Sequence, residues 1–221
     1  MSQTLQDILA EFVGKPPGSV EVAVIHPRQE MGRLGDMLAM EAALKHPIEV
    51  FEAVSGRPMK YAMAPSETRS AEEVGMLASH AGLLQRALKE GVSYVLVFED
   101  VCIPAPSFSL AGLQAYMRRA KEFSREFSFV GADEFLLLGT TGCYTWKKLT
   151  EGVKATDKFN GSHCYLIGRP MMEKFLEAYY HMLGMGVAVP TDEFLGVLLR
   201  SQGRWALCPE EDHFVTQRRA S

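Results

Sequence analysis

The chain is poor in the signals that mark several large functional classes. Its 221 residues include four cysteines, Cys102, Cys143, Cys164 and Cys208, and no two form a C-x-x-C pair. A structural zinc site is therefore not expected, and nothing requires a disulfide framework. Positive charge is not in excess either: 23 Lys and Arg stand against 27 Asp and Glu, a net charge of −4. Nucleic-acid-binding domains usually carry the opposite balance, so nucleic acid is not an expected partner. No apolar run reaches the ~18 residues of a membrane-spanning helix. The opening Met1-Ser2-Gln3 lacks the basic start and apolar core of a signal peptide, and a reducing cytosol is the expected compartment. No G-x-G-x-x-G follows the first strand, and neither a P-loop nor a G-x-S-x-G elbow is present, which disfavours dinucleotide, ATP-loop and α/β-hydrolase chemistry. There is no internal repeat and no low-complexity tract.

What is present suits an α/β domain, with 47% apolar residues to build a core. Leu5, Ile8, Leu9 and Phe12 recur at helical spacing. That stripe has two readings, packing on its own domain or lying on a membrane surface. The run Gly14–Gly18 reads as a hinge, giving an opening unit over 1–18 and a single domain over 19–221. Val20–His26 is a β-branched strand, the spacing of Met31, Leu34, Leu38 and Ala42 predicts a helix, and Ile48–Ala53 is a second strand. Strand, helix, strand opens a parallel sheet. A long loop over 54–69 follows, with Gly56, Pro58 and Pro65.

The best-marked helix comes next. Ser70 and Glu73 have capping-box spacing, Val74, Leu77, Ala78, Ala81, Leu84 and Leu88 share a face, and Gly91 suits a C-terminal cap. Tyr94–Phe98 reads as a central parallel strand that ends abruptly in Glu99-Asp100. The remaining expectations are a helix over Leu110–Phe127, a strand over Phe135–Leu138, and short antiparallel strands between Cys143 and Ile167. Turns are expected near Glu151-Gly152 and Asn160-Gly161, then helices over Met171–Leu183 and Asp192–Ser201, and a strand near Trp205–Leu207. A polar tail closes the chain.

Ligands of open α/β sheets gather at the carboxyl ends of parallel strands, where Glu99 and Asp100 stand. Two adjacent carboxylates there need a partner, which a cation, a sugar hydroxyl, a ribose or plain helix capping would each supply. The order Glu73-x-Gly75…Ser79-His80…Phe98-Glu99-Asp100 resembles family 25 of the glycosyltransferases, the lipooligosaccharide type. Its pattern runs G-E-x-G-C-x-x-S-H, then a helix and a strand ending E-D-D. Phe51–Gly56 looks like that family's F-x-A-V-D-G, and Asp133 with Leu136–Gly139 like its D-x-x-x-L-G. Gly161–Ile167 and Pro190-Thr191-Asp192 resemble its later G-x-x-A-Y-L-I-S and P-x-D segments.

The resemblance implies a GT-A-like fold with a Rossmann-like, mostly parallel central sheet flanked by helices. It implies transfer of a sugar with inversion, often galactose from UDP-galactose, to a saccharide or hydroxylated acceptor. On its terms Glu99, Asp100, His80, Ser79 and Arg28 bind the donor, with Arg33 as another basic residue after the first strand. A Mn²⁺ or Mg²⁺ is held by Asp100 with His213, and Asp192 is the base or an acceptor-hydroxyl ligand. Asp192 also suits a helix start, and Tyr144 and Trp146 suit acceptor stacking or plain packing.

The chain departs from the pattern at Ser55, Met76 and above all Val101. Without a gap, Val101 replaces the third acid and the metal contact is lost; with one residue deleted, Asp100 takes that role. The first alignment leaves open a non-catalytic relative that binds a nucleotide sugar or glycan without turnover.

Overall fold

The apolar runs become the strands of one sheet in the computed structural model, which describes residues 4–16, 19–27, 33–56, 70–126, 134–210 and 214–217. In chain order the elements are α1 (Leu5–Val13), β1 (Val20–His26), α2 (Leu34–Leu44), β2 (Glu49–Glu52), α3 (Ala71–Lys89), β3 (Tyr94–Glu99), β4 (Cys102–Pro104) and α4 (Leu110–Glu126). They continue with β5 (Phe135–Gly139), β6 (Gly142–Thr150), β7 (Val153–Asn160), β8 (Cys164–Gly168), α5 (Arg169–Gly184), α6 (Thr191–Ser201), β9 (Ala206–Pro209) and β10 (Val215–Gln217).

Eight strands form the sheet in the order β2-β1-β3-β8-β5-β9-β7-β6. The pairs β1–β2, β1–β3 and β5–β9 are parallel, and the other four are antiparallel. Followed through those pairings, β2, β1, β3, β5, β9 and β6 run one way and only β8 and β7 oppose them, so the sheet is mostly parallel in direction.

Central strands bury both faces, with a period of two. Val20, Val22 and Val24 of β1 join Leu96 and Phe98 of β3 in a core shared with α1, α2 and α4. The alternate residues Ala23, Ile25, Val95 and Val97 join a second core under α3, α5 and α6. Helices on both faces explain why these strands read as continuous apolar runs and not as alternations.

Leu5, Ile8, Leu9 and Phe12 are all buried in the first core, so the apolar stripe of α1 is spent on this domain and is not available to a membrane surface. No helix among the described residues is long and apolar enough to cross a membrane. The helix of the first crossover is rotated from its expected face: Met37, Met40 and Leu44 are buried while Leu38 is 58% exposed and Ala42 is exposed too. Two interleaved apolar stripes compete on this helix, and the one carrying the longer methionines packs inward. Met31 lies outside the described residues. The tail read as polar supplies β10, which pairs antiparallel with β4.

α3 forms as its sequence dictates. Ser70 accepts from the Glu73 amide, Glu73 accepts from the Ser70 amide, and Gly91 takes a left-handed φ of 79° just past the helix end. Arg86 then clamps this helix to the sheet. It pairs with Glu21 of β1 and, at 2.6 Å, with Glu49 of β2, its guanidinium 5.3 Å from the Phe51 ring centre.

Spacing concealed one cysteine pair. The sulfurs of Cys143 and Cys208 lie 3.6 Å apart as reduced thiols, brought together where β6 leaves the end of β5 beside β9. The Cys208 thiol beside it, with Thr140, Lys154 and Thr156, lowers the Cys143 thiol to about 6 against the opposing effect of burial. Burial instead pushes Cys102 and Cys164 well up. The folded value of Cys143 lies below that of the unfolded chain, so its thiolate contributes stability above the ordinary thiol range, and that contribution is lost as pH falls through about 6. Iodoacetamide should therefore label Cys143 first, its rate rising through a midpoint near pH 6. A midpoint in the ordinary range of about 8.5, or equal labelling of all four cysteines, would contradict this thiol pairing.

Candidate functional site

The chain leaves β1 toward β2 on one side and leaves β3 toward β5 on the other, so the carboxyl ends of β1 and β3 flank a topological switch point. That crevice is where open α/β sheets bind ligands. The last residue of β1, His26, meets Asp100, the first residue after β3. Its Nδ1 lies 3.2 Å from Asp100 Oδ2, and Arg33, at the start of α2, donates from Nη1 to Asp100 Oδ1 at 2.7 Å. Asp100 is 2% exposed, whereas the Arg33 side chain remains 35% exposed. The backbone draws the same point together: the Asp100 amide donates to Ile25 and the Ala53 amide to His26.

Glu99 faces the other way. Its Oε1 lies 3.4 Å from Nε2 of His80, and His80 Nδ1 lies 2.6 Å from the Tyr165 hydroxyl. Burial pushes the Tyr165 phenol well up, so its O–H remains a donor. With the phenol donating, His80 accepts at Nδ1, and its Nε2 faces Glu99 without a hydrogen bond. His80 is fully buried and rings Tyr165 at a centroid distance of 5.6 Å. It therefore packs beneath Glu99 and has no exposed surface to offer a ligand. It stands three residues after Leu77 and four before Leu84, on the inward face of α3.

Ser79 is also fully buried. It accepts from the Val54 amide at 2.8 Å and donates to the Gly75 carbonyl at 2.6 Å. A Cβ on Gly75 would sit 2.6 Å from the Val54 carbonyl oxygen and 2.7 Å from the Gly56 nitrogen. One on Gly56 would sit 1.8 Å from the Ala71 carbonyl oxygen. The two motifs Phe51–Gly56 and Glu73–His80 are thus one contact, in which bare backbone of the loop after β2 lies against bare backbone of α3. Beside it opens a cavity of about 490 Å³, lined by Pro27, Glu52, Ala53, Ser55, Glu72 and Met76 among others.

Asp192 sits in the first turn of α6, a helix whose N-cap is Pro190. Its Oδ1 accepts from the Glu193 amide at 2.8 Å and its Oδ2 from the Gly161 amide at 2.7 Å. The second bond reaches across to the turn between β7 and β8, where Gly161 has a φ of 69°. It is more than a helix cap, since it ties α6 to that turn. Two residues further on, the His163 carbonyl accepts from the Glu99 amide at 2.9 Å and from the Cys102 thiol at 2.8 Å. Asp192, Glu99 and Asp100 therefore belong to one edge of the sheet.

Arg28, Asp133 and His213 lie outside the described residues. Tyr144 is 66% exposed and stands in strand β6, not in a loop, with Lys158 over its ring; the side chain of Trp146 is outside the described ones. His26 and Tyr165 were not picked out as site residues. Both become visible only once β1, β3 and β8 are laid side by side.

No protein-family model matches the chain, and no curated protein sequence does. Solved structures do resemble it. A197 from STIV is 9% identical over 91% of this chain and 86% of that one, with a TM-score of 0.51. A glycosyltransferase involved in the glycosylation of the major capsid of PBCV-1 is 9% identical over 74% and 66%, at 0.38. UDP-glucose pyrophosphorylase complexed with UDP-glucose is 10% identical over 97% and 78%, at 0.41. The likeness to A197 is one of fold, and the other two are fainter.

The backbone contact makes a direct prediction. Gly75→Ala should lose about 1–3 kcal/mol in denaturant unfolding, because neither the loop nor the helix backbone can yield. Gly35→Ala in α2, where an added Cβ meets nothing within 4 Å, should be neutral or gain up to about 1 kcal/mol. Equal effects at the two positions would mean the close approach is not as described.

Proposed function

We propose that this chain is a sugar-transferring enzyme that binds a nucleotide sugar at the carboxyl ends of β1, β2 and β3. The single observation that carries the reading is the paired Asp100, His26 and Arg33 at the switch point between β1 and β3. The resemblance of its motifs to family 25 glycosyltransferases supports it, and so does the cavity beside Gly56 and Gly75. On this reading the nucleoside lies in that cavity, where Glu52 and Glu72 offer carboxylates to ribose hydroxyls, and the diphosphate lies toward Arg33. The donor is UDP-galactose and the acceptor a saccharide or hydroxylated molecule, with inversion at the transferred carbon.

Asp192 is the proposed base. Two backbone amides fix its carboxylate while each oxygen keeps a further lone pair for an acceptor hydroxyl. Glu99 orients the sugar, and Ser79 fixes the Val54 amide in the wall beside the nucleoside.

The resemblance also implies Mn²⁺ or Mg²⁺ at Asp100 and His213. Among the described residues no group of three or more His, Cys, Asp or Glu is gathered to hold a metal. Arg33 donates to one Asp100 oxygen and His26 faces the other, so a cation there would stand against a positive group. The described donor set does not fit a cation, so no step is drawn through one.

The test is release of UDP from UDP-galactose in the presence of a panel of saccharide acceptors. Asp192→Asn should reduce turnover by about 10²–10⁴-fold, the usual contribution of a general base, and leave donor affinity nearly unchanged. The amide places N–H where a backbone N–H already points, so thermal unfolding must accompany the assay. Full turnover in a folded Asp192→Asn protein would remove Asp192 as the base. Binding of UDP-galactose with no release on any acceptor would favour the non-catalytic relative.

A further inference from the structure

We infer that a nucleoside diphosphate binds this site without a divalent cation, its charge met by Arg33 fixed on Asp100. The inference rests on the reading of the switch-point crevice as a nucleotide-sugar site, and it differs from what the resemblance implies about metal.

A hard cation needs several oxygen donors with lone pairs directed at one point, usually including one or two carboxylates. Asp100 stands where such a carboxylate belongs, yet Oδ1 takes the Arg33 guanidinium at 2.7 Å and Oδ2 faces His26 at 3.2 Å. A cation arriving there would have to displace a positive group and then remain beside it. Glu99 does not converge with Asp100 in the described structure, its Oε1 lying beside Nε2 of the buried His80 at 3.4 Å. The next residue is Val101, which has no donor atom in its side chain.

The positive charge that a diphosphate requires is already present. Asp100 is buried and engages the guanidinium at 2.7 Å, while the Arg33 side chain stays about one-third exposed. A guanidinium is a permanently charged planar fork whose geometry matches phosphate oxygens, and a carboxylate behind it reduces the ordering needed on binding. The protein as a whole is negative, so this charge has to be local. In this arrangement Asp100 is a positioning residue and Arg33 is the ligand.

The deciding experiment is calorimetric titration of the full chain with UDP, first in excess EDTA and then in millimolar Mn²⁺ or Mg²⁺. ADP, GDP and CDP are run alongside. The expected result is binding in EDTA, with affinity that changes by less than about three-fold when metal is added, well short of the ~1.4 kcal/mol of a ten-fold effect. Arg33→Lys keeps the charge but not the fork and should weaken UDP by roughly ten-fold, and Arg33→Ala by about ten- to a hundred-fold. Asp100→Asn, which frees the guanidinium to wander, should weaken it less than Arg33→Ala. Arg33→Ala leaves Asp100 short of a partner, so the wild-type comparison with and without metal carries the test if that variant unfolds.

Binding that appears only with Mn²⁺ or Mg²⁺ would overturn the metal-free site while leaving the nucleotide-sugar reading intact. Metal-independent binding unchanged in a folded Arg33→Ala protein would overturn the role of Arg33. No binding of any nucleoside diphosphate under either condition would overturn both the inference and the reading beneath it.

Discussion

The arrangement of this molecule turns on a buried carboxylate. Taking an ion such as Asp100 out of water costs on the order of several kcal/mol even in a relaxed protein, and only close, well-directed partners offset it. His26 and Arg33 are those partners. Satisfying Asp100 requires the end of β1, the start of α2 and the turn after β3 to meet at one point, which sets how far β3 runs beside β1 and how α2 leaves the sheet. The backbone bond from the Asp100 amide to Ile25 continues the β1–β3 ladder by one further step. The requirement falls at the switch point, because the connections from β1 and β3 part on opposite sides of it.

A second constraint, steric in origin, shapes the neighbouring wall. Gly56 and Gly75 remove two Cβ atoms exactly where the loop after β2 would otherwise be held away from α3, and the Ser79 hydroxyl satisfies the Val54 amide that this loop would leave unpaired. The cavity opens beside this close approach of loop and helix. Arg86 holds the opposite end of the same helix to β1 and β2. The helix is thus fixed at both ends, and with it the buried His80 beneath Glu99. Electrostatic and steric requirements converge on residues 52–56, 75–80 and 99–100, the segments the sequence motifs had marked.

Much of the framework was legible because its causes are local. Val20–His26 was bounded to the residue by its β-branched run, the Ser70–Glu73 box and Gly91 marked both ends of α3, and Gly152 and Gly161 marked turns that need a left-handed backbone. What stayed hidden depends on partners distant in the chain. Periodicity identifies β8 as a strand but does not say that it inserts antiparallel between β3 and β5. The same limit concealed the pairing of β10 with β4 and of Cys143 with Cys208, 65 residues apart. In the site, the abrupt end of an apolar strand located Glu99 and Asp100 correctly. Their roles were not legible, since Arg33 lies 67 residues from Asp100 and nothing local links them. Ser79 and His80 look like ligand residues in a motif, and the packing of α3 turns both inward to support other groups.

The valine at position 101 acquires a reason within this electrostatic arrangement. A run of three acids at a strand end is tolerable when a divalent cation neutralises it, and each carboxylate then contributes to holding that cation. The described residues place a guanidinium there instead: Arg33 brings a single positive charge, which Asp100 engages, and Glu99 lies apart from it, 3.4 Å from Nε2 of His80. A third carboxylate beside them would be a like charge near two others without a counter-ion, and like charges in a poorly solvated crevice raise the cost of ionising all of them. On the proposed reading, the valine at 101 and the guanidinium of Arg33 belong to one electrostatic arrangement, in which a third carboxylate would add charge that Arg33 alone does not balance.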